Sequence, residues 1–202
     1  MNKHEIYRKL VHLFAIIIPV LYYFVVKSDF ISICILLPIA LFCVIVDAAR
    51  MENPELKNKF FKVFGMMLRE HESKGLTGAS YLLTSSIVVI ALPIKEITFL
   101  AISYLVVGDT LASLVGLKFG KRRIVSTMKT VEGLIASFIG CTIWGLIFNS
   151  YFFETEFRLH QSIIIFGAIV ASITEVSNLH INDNISIPII SGLAMSLIYL
   201  IL

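Results

Sequence analysis

The chain has 202 residues, of which 57% are hydrophobic and only 15% are charged. A soluble domain of this length cannot bury so much apolar surface, so the composition excludes one and predicts an integral membrane protein. The formal net charge of +3 is divided among separate loops, with no basic helix face or aromatic platform, which argues against nucleic acid as a partner.

Apolar runs of about membrane-spanning length recur along the whole chain. They predict seven transmembrane helices, at about 10–26, 31–49, 76–94, 97–117, 131–150, 161–178 and 186–202. No linker, low-complexity tract or internal repeat interrupts them. The sequence therefore predicts an all-α, polytopic membrane helix bundle that forms a single domain over residues 1–202.

Lys and Arg residues alternate strongly between the loops. Three precede the first span, and the successive loops hold one, six, one, five, one and none. By the positive-inside rule the N-terminus and the two rich loops are cytoplasmic. The same rule predicts that residues 50–75, 118–130 and 179–185 are cytoplasmic and that residues 150–160 lie outside.

The first span begins with charged residues on one helical face. Arg8, Lys9 and His12 are separated by one, three and four positions, which places them together near the membrane boundary. A basic flank that only sets the topology is the simpler interpretation of Arg8 and Lys9. His12 lies one turn deeper and adds nothing to topology, so it favours a site.

The second span ends in Asp47 and Arg50, which are three residues apart and can pair. A structural ion pair and a direct role in the site are equally open. The run Asn53-Pro54-Glu55 that follows is a typical helix start, with a capping residue, a proline and an acid. Apolar residues then recur at helical spacing, which predicts one amphipathic helix lying on the membrane surface.

The fourth and fifth spans each carry an acid on a face of small residues. On the fourth span Asp109, Ser113 and Gly116 share one face. The fifth span repeats the plan with Glu132, Ala136 and Gly140, and Gly133 and Ser137 lie beside them. An acid within an apolar run costs about 3 kcal/mol or more to insert, so it is expected to have a partner, an ion or an aqueous cavity. Two such faces can pack closely and present one carboxylate each.

Polar groups from distant parts of the chain converge on the side predicted to be cytoplasmic. They include Arg8, Lys9, His12, Asp109, Lys121, Lys129, Glu132, Glu175, Asp183 and Asn184. Phosphoryl transfer uses such a set, because carboxylate and amide oxygens bind Mg²⁺ and cationic side chains bind phosphate. The glycine-rich loop of soluble nucleotide-binding proteins is absent, so a nucleotide would be held in another way.

Four motifs in this set lie in register along the chain. They are Glu5-Ile6-Tyr7-Arg8-Lys9-Leu10-Val11-His12, Gly108-Asp109-Thr110-Leu111-Ala112-Ser113-Leu114-Val115-Gly116, Lys129-Thr130-Val131-Glu132-Gly133 and Asp183-Asn184-Ile185-Ser186-Ile187-Pro188. Together they resemble the dolichol kinase, phytol kinase and CTP-dependent diacylglycerol kinase family of integral membrane lipid kinases. The resemblance covers nearly the whole chain, which looks like a small prokaryotic-type member of this family. We therefore expect it in the cytoplasmic membrane.

The resemblance implies transfer of the γ-phosphate of CTP to the hydroxyl of a long-chain lipid alcohol such as a polyprenol, phytol or diacylglycerol. Magnesium is the expected cofactor, and the sequence leaves open whether the chain forms a homo-oligomer. The expected metal ligands are Asp109 with Glu132, Asp183 or Asn184. The expected phosphate-binding residues are Arg8, Lys9, Gly116, Lys121 and Lys129. The general base is left open among Glu132, Glu175 and His12.

Two other functions are compatible with the pattern. A cytidylyltransferase would use the same nucleotide and metal but would release pyrophosphate, and the long basic and Asp-rich signature of the phospholipid enzymes is absent. A small transporter or channel would use the buried acids as an ion path and would leave the basic loop as a topology signal only.

The predicted orientation can be tested with single cysteines in a background that lacks Cys34, Cys43 and Cys141. In intact cells an impermeant thiol reagent should label Thr155→Cys and should leave Arg122→Cys unlabelled, because only position 155 is expected outside. The reverse pattern would separate the basic loop from cytosolic nucleotide and would contradict the kinase interpretation.

Overall fold

A computed structural model describes the backbone of residues 3–68, 70–124, 127, 129–179 and 181–202. Side chains are described from residue 9 onward, except those of residues 66, 69–71, 125, 126, 128 and 180. These residues form helices joined by short turns, with an isolated antiparallel bridge between Arg123 and Thr130. The predicted all-α architecture is confirmed.

The helices follow the predicted apolar runs. They are α1 (Lys3–Phe14), α2 (Ile17–Val20), α3 (Asp29–Glu52), α4 (Pro54–Phe64), α5 (Gly78–Ile90), α6 (Lys95–Phe119), α7 (Val131–Tyr151), α8 (Gln161–Val176) and α9 (Asp183–Ile201). A π-helical stretch, Leu21–Val26, continues α1 and α2 into one long first span. Short 3-10 turns occupy Gly65–Met67, Glu70–Ser73 and Thr155–Phe157.

Five of the seven predicted spans have the length and composition to cross a membrane. Within the described residues these are Lys9–Val26, Asp29–Glu52, Lys95–Phe119, Val131–Tyr151 and Asp183–Ile201. The other two are shorter apolar helices, α5 with 13 residues and α8 with 16. Apolar helices of this number and length identify an integral membrane protein.

Side chains that cap the backbone fix where several helices begin. Asn53 accepts hydrogen bonds from the N–H groups of Glu55 and Leu56, so the predicted start of α4 is confirmed. Thr130 likewise accepts from Gly133 and starts α7 at the point where the basic loop ends. These two caps therefore fix the points at which the chain leaves the preceding loop and enters α4 and α7.

Helix α6 lies at the centre of the bundle. Every residue from Ile97 to Val106 is buried, as expected for a helix that is apolar on all sides. It packs against α7, α8 and α9 on one side and against α5 and the first span on the other. Its residue Asp109 is consequently surrounded by other helices rather than by lipid.

Small residues on α7 form its contact with α6, as the sequence suggested. Gly133, Ser137 and Cys141 are buried four residues apart, and a Cβ atom on Gly133 would lie 2.8 Å from the carbonyl oxygen of Ala112. The contact is centred on the predicted Gly133 and Ser137, and Gly140 adjoins it, because a Cβ atom there would meet Leu111 of α6. The row of small side chains spaced four residues apart forms the groove, and Glu132 stands to one side of it.

The predicted pair of Asp47 and Arg50 forms and is fully buried. Arg50 Nε donates to Asp47 Oδ1 at 2.8 Å, and neither residue is more than 1% exposed. The second oxygen of Asp47 accepts from the backbone N–H and the hydroxyl of Thr77 and from the hydroxyl of Ser80. The carboxylate therefore joins the end of α3 to the start of α5.

Arg50 holds the segment that leads into α5. Its Nη2 atom donates to the carbonyl oxygens of Glu72 and Gly75 at 2.8 and 2.6 Å. Its guanidinium lies 4.9 Å from the centre of the Phe60 ring on α4. One side chain thus positions both α4 and the turn after it, which a simple ion pair with Asp47 would not do.

Arg50→Lys should therefore destabilise the protein strongly. A lysine cannot reproduce the planar set of donors that reaches Asp47 and two carbonyl groups, and breaking a buried charge network costs about 3–5 kcal/mol. Thermal unfolding in detergent measures the effect. Arg158→Lys is the matched control, because Arg158 is exposed and donates to a single carbonyl group, of Ser150. Equal midpoints for the two variants would contradict the expected role of Arg50.

Candidate active site

Asp109 is the meeting point of the first span and the central helix. Lys9 Nζ lies 2.5 Å from Asp109 Oδ2 and also donates to the Asp109 carbonyl oxygen at 3.0 Å. His12 Nε2 lies 3.5 Å from the same carboxylate oxygen. The side chains of Lys9 and Asp109 are only 7% and 11% exposed. Three of the predicted site residues therefore form one buried cluster.

Lys129 gathers a second cluster from three elements. It follows the basic loop, and its Nζ atom donates to Asp183 Oδ2 at 2.9 Å and to the carbonyl oxygen of Glu175. The same Nζ lies 3.7 Å from Glu175 Oε1. The end of α8 and the start of α9 are thereby joined to the start of α7.

A small cavity links the two clusters. Its volume is about 160 Å³, and its lining includes Asp109, Gly116, Lys129 and Glu175. A Cβ atom on Gly116 would lie 2.9 Å from the hydroxyl oxygen of Thr130, so a larger residue would enter this space. Gly116 thus forms a floor of the cavity that no side chain fills. The charged residues of the lining are one cation, Lys129, and two acids, Asp109 and Glu175.

Glu175 is the acid whose environment suggests a missing partner. The residue is 4% exposed, and its Oε2 atom has no hydrogen-bond partner among the described residues. A buried carboxylate oxygen left in this state is costly. An ion or a donor that enters the small cavity would satisfy it.

A larger cavity shares Asp109 with the small one. Its volume is about 610 Å³, and the first span, α3, α4, α5 and α9 contribute to its lining. Lys9 and His12 line it as well, whereas most of the remaining lining is apolar. Asp109 is therefore accessible from two spaces of different size and polarity.

Asp183 and Asn184 are placed in different surroundings. The Asp183 carboxylate forms an ion pair with Lys129. Asn184 lines the larger cavity. Its Nδ2 atom donates to the Gly78 carbonyl oxygen, and its backbone carbonyl oxygen accepts from the Ser85 hydroxyl. Neither residue lines the small cavity, so their metal-binding roles stay predictions.

Two further predicted residues, Glu132 and Lys121, are not brought into the clusters. Glu132 stands in the first turn of α7 and accepts from the backbone N–H of Arg122 in the loop, at 3.3 Å. It lines neither cavity described above. Lys121 is exposed in the same loop. The side chain of Arg8 lies outside the described residues, so its predicted phosphate contact stays a prediction.

Glu72 is a site residue that the sequence did not reveal. It is 5% exposed, lines the larger cavity and accepts from the Gly78 backbone N–H at 3.0 Å. In sequence it belongs to a charged stretch between the interfacial helix and the third span, which reads as solvated. Hydrogen bonds from Arg50 to the carbonyl oxygens of Glu72 and Gly75 hold this stretch against the end of α3.

No set of three or more His, Cys, Asp or Glu side chains in the described part of the chain is arranged to hold a metal ion. Magnesium is usually bound by one or two carboxylates together with substrate phosphates and water. The pair of Asp109 and Glu175 at the small cavity fits that mode.

Comparisons with known proteins show which family the chain resembles. Residues 2–199 match a protein family described as the cytidylyltransferase family. An uncharacterised protein of Rickettsia prowazekii is 30% identical over 189 residues, covering 90% of this chain and 88% of that protein. The CTP-dependent diacylglycerol kinase 1 of Saccharomyces cerevisiae is 25% identical over 215 residues, covering 97% of this chain and 74% of the kinase. No solved structure matches the chain. The resemblance predicted from the four motifs is confirmed.

The different positions of two lysines give a test of the site. Lys129→Gln should weaken CTP binding by about tenfold or more, because a charge-assisted contact at a partly buried position is lost. Lys121→Gln should change it by less than about twofold, since Lys121 is exposed and a single screened charge contributes little. Calorimetric titration of purified protein measures both. Equal losses would show that the exposed loop, rather than the small cavity, binds the nucleotide.

Proposed function

We propose that this chain, which belongs to the cytidylyltransferase family, is a CTP-dependent kinase that phosphorylates the hydroxyl of a membrane lipid alcohol. The proposal takes its nucleotide from the yeast relative, whose description is a CTP-dependent diacylglycerol kinase. It takes its site from the residues around Asp109.

The position of Asp109 carries the proposal. The carboxylate lines both a small cavity with a lysine and a glycine floor and a larger cavity with mostly apolar walls. A triphosphate needs the first environment, because cations and close backbone approach suit phosphate oxygens. A lipid needs the second. The reacting atoms of the two substrates would meet at Asp109.

The reaction joins the lipid oxygen to the γ-phosphorus and breaks the bond between that phosphorus and the β,γ-bridging oxygen. CDP leaves with the bridging oxygen, and the lipid hydroxyl loses its proton. The hydroxyl would arrive through the larger cavity, which His12 lines beside Asp109. We therefore assign the proton to the His12 imidazole, where a general base within one hydrogen bond of the hydroxyl is required.

Lys9 and Lys129 would bind phosphate oxygens when CTP is present. Each now pairs with an acid, Lys9 with the buried Asp109 and Lys129 with the partly exposed Asp183. Phosphates in the small cavity would meet Lys129 in its lining, and a phosphate that reaches Asp109 would meet Lys9 from the larger cavity. The chain thus holds its phosphate-binding charges in place before the substrate arrives, which lowers the cost of binding.

Magnesium fits the acids that remain. Asp109 and Glu175 both line the small cavity, and the unpartnered Glu175 oxygen is a suitable hard ligand. When bound, the ion would neutralise charge on the transferred phosphate. This pair replaces Glu132 as the second acid, because Glu132 accepts from the loop backbone instead.

A cytidylyltransferase is the second candidate, favoured by the description of the family that the chain matches. It would use the same nucleotide and metal but would move the CMP unit onto a lipid phosphate. The yeast relative favours the kinase, because its description is that of a CTP-dependent kinase.

Isotope labelling separates the two reactions. Purified protein in detergent is incubated with CTP labelled in either the α- or the γ-phosphate, with dioleoylglycerol, phytol and a polyprenol as alcohols, and with phosphatidic acid. We expect the γ-label in a phosphorylated alcohol, together with release of CDP. The α-label in a lipid, together with pyrophosphate, would establish the transferase and contradict the kinase.

Asp109→Asn should reduce transfer by at least about a hundredfold, since it removes the charge at the reaction centre. It also removes the carboxylate charge that faces the buried Lys9, so stability should fall as well. The double variant Lys9→Met/Asp109→Asn separates the effects, because it should recover the midpoint of thermal unfolding without recovering activity. A double variant that regains turnover would show that the pair is structural only.

A further inference from the structure

The larger cavity changes from polar to apolar with depth along the helices that line it. On the first span Lys9 and His12 are followed by Ala15, and on α5 Gly78 is followed by Leu82. The polar residues all come from the end of the bundle where Asp109 lies. A ligand that fills this cavity should therefore have a polar end and an apolar body.

Helix α3 shows how far the cavity reaches. Its lining residues run from Asp47 through Val46 and Cys43 to Phe42. Cys43 lies about two and a half turns, or roughly 13 Å, before the end of α3 at Glu52. Asp47 is already satisfied by Arg50, Thr77 and Ser80, so the deeper part of this wall offers apolar contacts.

The cavity opens sideways between the first span and α3. Val11 and Phe42 line it and are nevertheless 47% and 67% exposed, so they stand at its mouth. In the described chain α1 packs mainly against α6 and the turn Gly65–Met67, and α3 mainly against α5 and α4. Phe42 lies ten residues before the end of the membrane-length helix α3, a depth at which a bilayer would place hydrocarbon around this mouth.

The amphipathic helix α4 forms one wall of the cavity. Phe60 and Phe64 contribute to the lining, and Arg50 stacks on Phe60 from outside the cavity. Phe64 is 45% exposed, so the cavity also opens beside α4. The opening at Val11 and Phe42 lies deeper along the spans and is the one that a lipid chain would use.

We infer that the larger cavity binds the hydrocarbon chain of the acceptor, which enters between the first span and α3 with its hydroxyl directed toward Asp109. The inference rests on the proposed function for the identity of the acceptor as a lipid alcohol. Cys43 and Phe60 are then specificity-determining residues, because they limit the length and branching of the chain that fits under α4. A volume of about 610 Å³ is in the usual range for a site that encloses a small organic ligand.

Photolabelling locates the chain without depending on turnover. The probe is a long-chain primary alcohol with a diazirine in the middle of its alkyl chain, applied to the full-length protein in lipid nanodiscs. Mass spectrometry should find the label on α3 around Cys43 and on α4 around Phe60, and unlabelled alcohol should compete. Label confined to outward-facing residues such as Ile139 and Leu197, or competition by CTP instead of alcohol, would overturn the inference.

Two cysteines on the same helix give a matched pair of variants. Cys43 lines the cavity, whereas Cys34 is exposed on α3 away from it. Cys43→Trp should raise the KM for the alcohol by about tenfold and leave the KM for CTP within about twofold, because it fills only the acceptor space. Cys34→Trp should leave both constants unchanged. Cys43→Leu serves in the same assay if thermal unfolding shows that the tryptophan variant is not folded.

The outcomes separate this inference from the proposed function. Labelling of the cavity without phosphorylation of any alcohol would contradict the kinase and retain the lipid site. Phosphorylation with labelling elsewhere, or with a KM for the alcohol that Cys43→Trp does not change, would retain the kinase and reject the cavity as its acceptor site.

Discussion

The contact between Lys9 and Asp109 is the constraint on which both cavities depend. It joins residues that are 100 positions apart and fixes the end of a first span that is otherwise mostly exposed. A buried ion pair gains little net free energy over an apolar pair, because desolvation offsets the attraction. Its value here is positional. The pair places a cation and an acid where the wall of the larger cavity meets the wall of the smaller one, and the helices alone would leave that boundary undefined.

Much of the fold was readable from the sequence because membrane insertion and helix capping are local properties. Hydropathy located all seven apolar helices within a few residues, and the run Asn53-Pro54-Glu55 located α4 because the cap acts on its own backbone. The convergence of Lys9, His12 and Asp109 was also accessible, since alternating loops bring every second helix end to one side. The motif resemblance then indicated which of those ends carry chemistry.

The rest depends on rotation and on contacts between distant segments. One residue along a helix is about 100° of rotation, so the difference between Glu132 and Gly133 facing α6 is decided by packing of the row Gly133, Ser137 and Cys141. Glu72 faces inward from a stretch that Arg50 holds by binding the carbonyl oxygens of Glu72 and Gly75. Neither effect has a signature in the local pattern of charges. The open choice of general base had the same origin, because His12 and Glu175 line different cavities.

The short helix α5 has a consequence for the lipid around the protein. Thirteen residues extend about 20 Å, roughly two-thirds of a hydrocarbon core of about 30 Å. Asp109 is similarly recessed, since α6 continues to Phe119, about 15 Å beyond it at the usual helical rise. Hydrophobic mismatch of this kind thins the adjacent leaflet. A lipid headgroup beside α5 and its packing neighbour α3 would stand lower than the headgroups around it. The proposed acceptor could then enter between the first span and α3 by lateral diffusion and would not have to rise out of the bilayer.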